Sequence, residues 1–416
     1  MNIPSTRIDL TIGSLARLLL AAALFLSAPA HAAPAWSSTQ AETLLHWIER
    51  APGEALALPS GSMPRLRAAI DSGDRDRLDT VSNEAAIVLL RAWRGRCCGA
   101  RRPAWWHIDG SRRDADLHAG LERALREDRL DLYLRSVRPS HRHYAALATA
   151  FAQETDADRK SVIARNLARW RWMPANLGRR YLLVNIASQY VTLWEGGRAR
   201  ARWRVIIGKP STRTPVFSTD VTGVVLNPWW NIPSSIAAEG IARFVRRNPA
   251  AARARGYIYQ NGRYRQMPGE KNALGRMKLV MPNPYSVYLH DTSNRELFAE
   301  DRRAFSHGCV RVDRALPFAA RLLARDGWTL AMIEQAVASE ETQTIEMSED
   351  LPLYVTYFTA EPASSGEIRF LEDLYSRDPV VLSPSSRAGA TGIYGSPPAG
   401  SSDSLAAVAG AAPCPI

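Results

Sequence analysis

Apolar residues recur every three or four positions between charged ones over Ala85 to Trp93, Leu117 to Leu134 and Ser161 to Trp172. That spacing lays one apolar stripe along a helix, so the first part of the chain, residues 33–175, is predicted to be helical, with Gly110, Pro139 and Pro174 as breakers. At Tyr181 the period changes to alternation. Tyr181 to Ile186 and Tyr190 to Trp194 read as strands, Gly196-Gly197 as a hairpin turn, and Ala201, Trp203, Val205 and Ile207 as one face of the returning strand. Val216 to Phe217, Val221 to Leu226 and Leu351 to Phe358 add further strands, and Arg314 to Arg325 a helix stopped by Gly327. The expected class is therefore α+β: a helical domain followed by a mostly antiparallel β domain over 176–380, closed or sandwiched. An insertion over 231–267 interrupts the strands, with a helix from Ile236 to Val245 ended by Asn248-Pro249. From Ser383 onward Ser, Pro, Gly and Ala dominate, which predicts a flexible tail over 381–416.

Composition adds a compartment and a sign of charge. The 416 residues allow two or three domains, and an apolar fraction of 46% excludes a wholly disordered chain. Arg7 and Arg17 precede the apolar run Leu18 to Leu26, and Ala30-His31-Ala32 offers small residues for a signal peptidase, so residues 1–32 read as an export signal cleaved after Ala32. The expected location is the periplasm. A net charge of +12 suits an anionic surrounding such as nucleic acid, membrane headgroups or carboxylate-rich wall polymer, and export argues against nucleic acid. Four cysteines are present, Cys97, Cys98, Cys309 and Cys414; Cys97 and Cys98 could pair only through a strained vicinal bridge. None has metal-ligand spacing, so neither metal nor cofactor is expected.

The stretch Ser306-His307-Gly308-Cys309-Val310-Arg311 holds the candidate chemistry. A thiol on a glycine turn between a histidine and an arginine has main-chain donors and cationic neighbours, as an activated cysteine needs. A lone cysteine is more often packing, and a His-Gly-Cys triplet alone is weak. His290 strengthens the reading, because it closes the alternating run Tyr285 to His290 and is followed by a turn-rich segment that could bring it back to Cys309. A catalytic Cys309 must stay free. On a strand, Cys309 and Arg311 would share one side while Val310 and Val312 face the core. Asp291 would point away from His290, so a backbone carbonyl is the better orienter of the imidazole. The N–H groups of His307, Gly308 and Cys309 form a natural oxyanion hole, with Gly308 needed for close backbone approach and the side chains of Ser306 and His307 supporting.

His290, fifteen residues, then Ser-His-Gly-Cys-Val-Arg resembles the signature of the L,D-transpeptidase catalytic domain. Asn166 to Pro174, Asn227 to Pro233 and Asn272 to Lys278 resemble words of the large Gram-negative subgroup, in which a helical scaffold domain precedes a β-sandwich catalytic domain. In that subgroup a mobile capping element occupies the place of the 231–267 insertion, so the resemblance implies a helical lid, here rich in arginine. It also implies a Cys309 nucleophile and a His290 base. The implied substrates are peptidoglycan stem peptides, a tetrapeptide donor and the side-chain amine of a diamino acid as acceptor, joined as a 3-3 cross-link through a thioester. Inhibition by carbapenems is implied as well. Many members carry asparagine where this chain has Arg311, whereas the large subgroup has arginine. The subgroup's small peptidoglycan-binding module has no convincing copy here. The same site could instead use water, as an L,D-carboxypeptidase or endopeptidase, or attach or release a lipoprotein. A non-catalytic wall-binding scaffold is the alternative from another class. The resemblance names no wall-synthesis partner.

Overall fold

A computed structural model describes residues 35–97, 102–110 and 114–378. The expected signal segment and tail lie outside the described residues, as do Cys98 and Cys414. Among the described residues seven α-helices come first: α1 (Ser38–Arg50), α2 (Ser62–Ser72), α3 (Arg75–Trp93), α4 (Asp114–Arg126), α5 (Leu130–Val137), α6 (Arg142–Gln153) and α7 (Ala157–Arg171). Their starts are written locally. Ser37 and Gln40 form a reciprocal capping box before α1, and Asp74 and Asp156 accept the N3 backbone N–H of α3 and α7. The span expected as one helix from Leu117 to Leu134 is two, because Asp128 takes a left-handed conformation at φ 51° between α4 and α5.

The early helices bury their own core around Trp36, Trp47 and Trp93. Helices α6 and α7 do something different: their apolar faces, with Tyr144, Leu147, Leu167 and Trp170, belong to the core of the β domain. Specific polar contacts fix that seam. Glu54 is buried and accepts from Trp93 Nε1, Arg138 Nε and Tyr144 Oη, while Arg171 donates to its carbonyl. Asn166 exchanges two hydrogen bonds with Thr359, and the buried Arg169 pairs with Asp378 at 2.6 Å. Trp170 stacks on Phe358 with ring centroids 4.5 Å apart. The scaffold is thus a wall of the β domain rather than a bead on a string.

The β domain contains β1 (Arg180–Asn185), β2 (Tyr190–Glu195), β3 (Arg198–Gly208), β4 (Phe217–Leu226), β8 (Met277–Val280), β9 (Leu289–His290), β10 (Ala304–Ser306), β11 (Val310–Val312) and β12 (Gln343–Thr356), with β5 (Trp230–Asn231), β6 (Tyr257–Gln260) and β7 (Arg263–Gln266) set aside in the insertion. Their order is β10-β3-β11-β9-β8-β4-β12-β1-β2. Strand β2 also pairs with β3 through the Gly196-Gly197 turn, so the sheet closes on itself. Most pairings are antiparallel; β1–β12, β3–β10 and β9–β11 are parallel. Helices α10 (Ala315–Leu323) and α11 (Leu330–Ala338) follow β11, and β13 (Ala360–Pro362) with β14 (Ile368–Phe370) forms a small separate hairpin.

The insertion is less helical than expected. It carries a three-stranded sheet, β5 (Trp230–Asn231), β7 (Arg263–Gln266) and β6 (Tyr257–Gln260), beside short helical segments that include α8 (Ala242–Arg247) and α9 (Pro249–Ala254). The expected helix from Ile236 to Val245 is broken by a π-helical segment, Ala237–Ile241, where Gly240 sits at φ 145°. Pro249 does not merely end a helix; it occupies the first position of α9, where a missing N–H costs nothing. Trp230, Ile232 and Leu274 make this unit's own small core.

Candidate active site

Strands β9 and β11 run parallel, with Val310 opposite Leu289 and Arg311 opposite His290. Leu289, Val310 and Val312 are fully buried on the core side, which turns His290, Cys309 and Arg311 onto the other face together. Cys309 is then level with Tyr288, whose N–H lies 3.3 Å from Sγ, and is the diagonal neighbour of His290. Such diagonal pairs stand about 7–8 Å apart between backbones, within reach of an imidazole. The strand that carries His290 is only two residues long.

The imidazole is held from behind. His290 Nδ1 is 2.5 Å from the carbonyl of Asp291, which makes Nδ1 the donor and leaves Nε2 as the basic nitrogen. The Asp291 carboxylate points elsewhere, accepting from the Arg276 N–H at 2.8 Å and from the Arg295 guanidinium at 3.2 Å. Gly275 is what makes room for it, because a Cβ there would fall 2.4 Å from that carboxylate. The word Asn272 to Lys278 therefore serves to seat Asp291 and, through it, His290. Burial first, and then the charge of Arg311, push the His290 pKa down to about 3. The imidazole is neutral near pH 7.

Cys309 is disulfide-bonded, as is Cys97, and neither bonded partner falls among the described residues. The expectation of a free Cys309 is not met in this form, so the sulfur carries no charge that could hold His290 protonated. Opening the bridge comes before any chemistry at Sγ. The Arg311 guanidinium is largely buried and makes no hydrogen bond or ion pair with a described side chain; burial lowers its pKa, opposed by the charge of Glu296. An unpaired cation on the face of the sulfur suits an anion, either the thiolate or a carboxylate of substrate.

The turn before Cys309 differs in detail from the expectation. Gly308 is required by its φ of +119° rather than by crowding, since a Cβ there would meet only ordinary contacts. Its N–H donates to Ser306 Oγ at 3.0 Å, and Ser306 Oγ donates to the Cys309 carbonyl at 2.5 Å. The expected oxyanion hole thus loses its middle donor, and Ser306 is the brace of the turn. The side chain of His307 leaves the turn altogether, placing Nε2 3.3 Å from Glu239 of the insertion.

One residue that sequence reasoning missed acts through the backbone. Thr214 is fully buried; its hydroxyl donates to the Gly308 carbonyl at 2.8 Å and accepts from the Gly208 N–H at 2.9 Å. Tyr375 supports it in turn, accepting the Thr214 N–H and donating to the Gly208 carbonyl. Because a peptide is planar, fixing the Gly308 carbonyl also fixes the direction of the Cys309 N–H. Nothing in the local sequence around Thr214 signals this role, which depends on a contact 94 positions away. Thr214→Val is expected to slow acylation of Cys309 by about tenfold or more, consistent with roughly 1–3 kcal/mol for groups left unpaired, while Thr214→Ser stays near wild type. Stopped-flow acylation of the reduced protein would measure it; equal rates for Val and Ser would refute the positioning role.

Residues 179–333 match the family model of the L,D-transpeptidase catalytic domain, and residues 28–151 match that of a scaffold domain. A Haemophilus influenzae protein provisionally named as an L,D-transpeptidase is 34% identical over 218 residues, which is 47% of this chain and 44% of the relative. The match therefore spans less than half of that relative's length. Among solved structures, an L,D-transpeptidase from Mycobacterium smegmatis is 13% identical with a TM-score of 0.24, covering 43% of this chain and 58% of its own. An L,D-transpeptidase in complex with imipenem is 13% identical with a TM-score of 0.22, covering 43% and 59%. Those two scores are too low to bear on function. The family models thus match an L,D-transpeptidase catalytic domain at residues 179–333 and, before it, a scaffold domain at residues 28–151.

Proposed function

We propose that the protein is an exported peptidoglycan L,D-transpeptidase that forms 3-3 cross-links through a Cys309 thioester. The observation that supports it best is the shared face of His290, Cys309 and Arg311 on two adjacent parallel strands. In the reduced enzyme, neutral His290 takes the thiol proton through Nε2, and Arg311 favours the resulting thiolate. The sulfur attacks the carbonyl of the donor's third residue. Main-chain N–H donors of the 306–309 turn other than that of Gly308 stabilise the tetrahedral oxyanion. His290 returns its proton to the departing D-alanine amine, leaving a thioester that conserves the energy of the broken amide. The side-chain amine of a second stem then attacks the thioester carbon, loses a proton to His290 and expels the thiolate as the new amide forms.

Chromatography of muropeptides with mass detection tests the reading on the reduced, full-length protein. Dimers linked between two diamino-acid residues are expected. Shortened monomers alone would make the enzyme a carboxypeptidase using water at the same site, and release of wall-bound lipoprotein would identify a different acceptor. Full biological activity of a Cys309→Ala variant would leave only a wall-binding scaffold.

A further inference from the structure

Strands β11, β9 and β8 lie side by side, and Arg311, His290 and Lys278 are opposite one another across them. Residues paired in this way share a face of the sheet. Met277 and Leu279 are fully buried on the core side, which turns the Lys278 side chain onto the face that carries Cys309 and His290. Its Nζ is 4.9 Å from the centre of the Tyr288 ring, and Tyr288 is the residue whose N–H approaches the Cys309 sulfur. The ammonium thus stands across β9 from the sulfur.

No described group answers this charge. Lys278 makes neither a hydrogen bond nor an ion pair with a described residue, and burial lowers its pKa with no neighbouring carboxylate to oppose it. Asp291, the acid beside His290, is already committed to the Arg276 N–H and the Arg295 guanidinium. The Tyr288 ring is a weak partner for a cation, and it leaves the three N–H donors of Nζ open to an anion. A half-buried ammonium placed this way costs stability unless something the site binds brings a negative charge to it.

We propose that Lys278 binds the free carboxylate of the donor's terminal D-alanine and so restricts cleavage to stem ends that are not yet joined to another chain. The inference rests on the transpeptidase reading and names the residue that sets its donor specificity. The order of groups across the strands matches the order of atoms in the donor. Neighbouring strands are about 4.8 Å apart, and a peptide advances about 3.3–3.6 Å per residue. With the third residue's carbonyl at Cys309, the amide nitrogen falls toward His290 and the carboxylate, one residue on, comes within reach of the ammonium of β8. As the thiolate adds and the amide C–N bond breaks, D-alanine departs with its amine protonated by His290 and its carboxylate still on Lys278. No bond to the lysine forms or breaks. A D-alanine already linked through its carboxyl group presents a neutral amide there, so the same residue disfavours endopeptidase cleavage.

Full-length reduced wild type, Lys278→Met and Lys278→Arg are compared on a synthetic stem tetrapeptide with a free terminal carboxylate and on its terminal carboxamide, by release of the fourth residue. Wild type is expected to favour the free acid by about 10- to 100-fold in kcat/KM, the Met variant to bring that ratio close to one, and the Arg variant to keep most of it. A wild type that cleaves both donors equally, or a Met variant that keeps the full preference, overturns the proposal. Were Lys278 instead to act by favouring the thiolate, alkylation of Cys309 by neutral iodoacetamide would fall in step with cleavage of both donors, and that result overturns it too. A second measurement does not depend on turnover. Calorimetric titration of the Cys309→Ala protein should show tighter binding of the acid than of the amide, and the added Lys278→Met change should abolish the difference. Equal affinities, or no binding of either peptide, overturn the assignment. A wild type that neither transfers nor hydrolyses, while this binding preference holds, sinks the transpeptidase reading alone.

Discussion

The intact protein gains the mass of one carbapenem only after treatment with a thiol reductant, and a Cys309→Ser variant gains none under either condition. The expectation follows from the bonded state of the sulfur: a disulfide sulfur is an electrophile toward thiolates, whereas acylation of a β-lactam carbonyl needs a sulfur lone pair on a thiolate. Tyr288 N–H, 3.3 Å from Sγ, is in place to donate to that thiolate once it forms. Loss of the nucleophile removes the covalent route entirely, so the effect is the largest available at this site. Intact-mass spectrometry reads it directly. Labelling of the unreduced protein at position 309 would show that the bridge is not closed in solution, and labelling of the Ser variant would place the nucleophile elsewhere.

Replacing His290 by Gln should lower the acylation rate of the reduced enzyme by about 10² to 10⁴-fold, the range that positioned proton transfer contributes. The pH profile distinguishes the base from a packing residue. Burial and Arg311 hold the oxidised protein's imidazole near 3, but a thiolate at Cys309 faces it in the reduced enzyme and favours its protonated form. The two groups then titrate as a pair, and the acid limb of the rate profile belongs to the pair rather than to His290 alone. Reduction should therefore move the titration of His290 upward, which ring-proton NMR of oxidised and reduced protein can follow. No movement on reduction would mean that the imidazole does not face the sulfur.

The same burial has a consequence for stability. His290 at about 3, His143 at about 4 and His141, also well depressed, owe their shifts first to desolvation. In the unfolded chain each would bind its proton near pH 6.5, so between about pH 6.5 and 3 the unfolded state holds more protons than the native one. Stability is then full above pH 6.5 and declines as the pH falls through that window. His290→Gln should shallow this acid decline while slowing catalysis.

The order of helices and strands was open to reading because each depends on neighbours in sequence. A three- to four-residue apolar period made α3 and α7 visible, and alternation bounded by Gly196-Gly197 made the β2–β3 hairpin visible, since these signals are local sterics and one-sided burial. The strands of the insertion are hard to read from sequence because Tyr257 to Gln260 and Arg263 to Gln266 are only four residues each, too short to show a sustained alternation. Their pairing with each other and with Trp230-Asn231 supplies what propensity does not.

Chemistry divides in the same way. By itself the sequence determined which atoms can react, because a thiol, an imidazole and a guanidinium at 309, 290 and 311 are facts of composition and spacing. It also determined that a glycine must stand at 308. Only the tertiary structure decided that Val310 pairs with Leu289 and so turns all three groups onto one face, that Ser306 rather than substrate takes the Gly308 N–H, that Thr214 and Tyr375 fix the turn, and that Cys309 is bonded. Each of these depends on contacts between residues distant along the chain, and no local pattern encodes which partner a buried donor or sulfur will find.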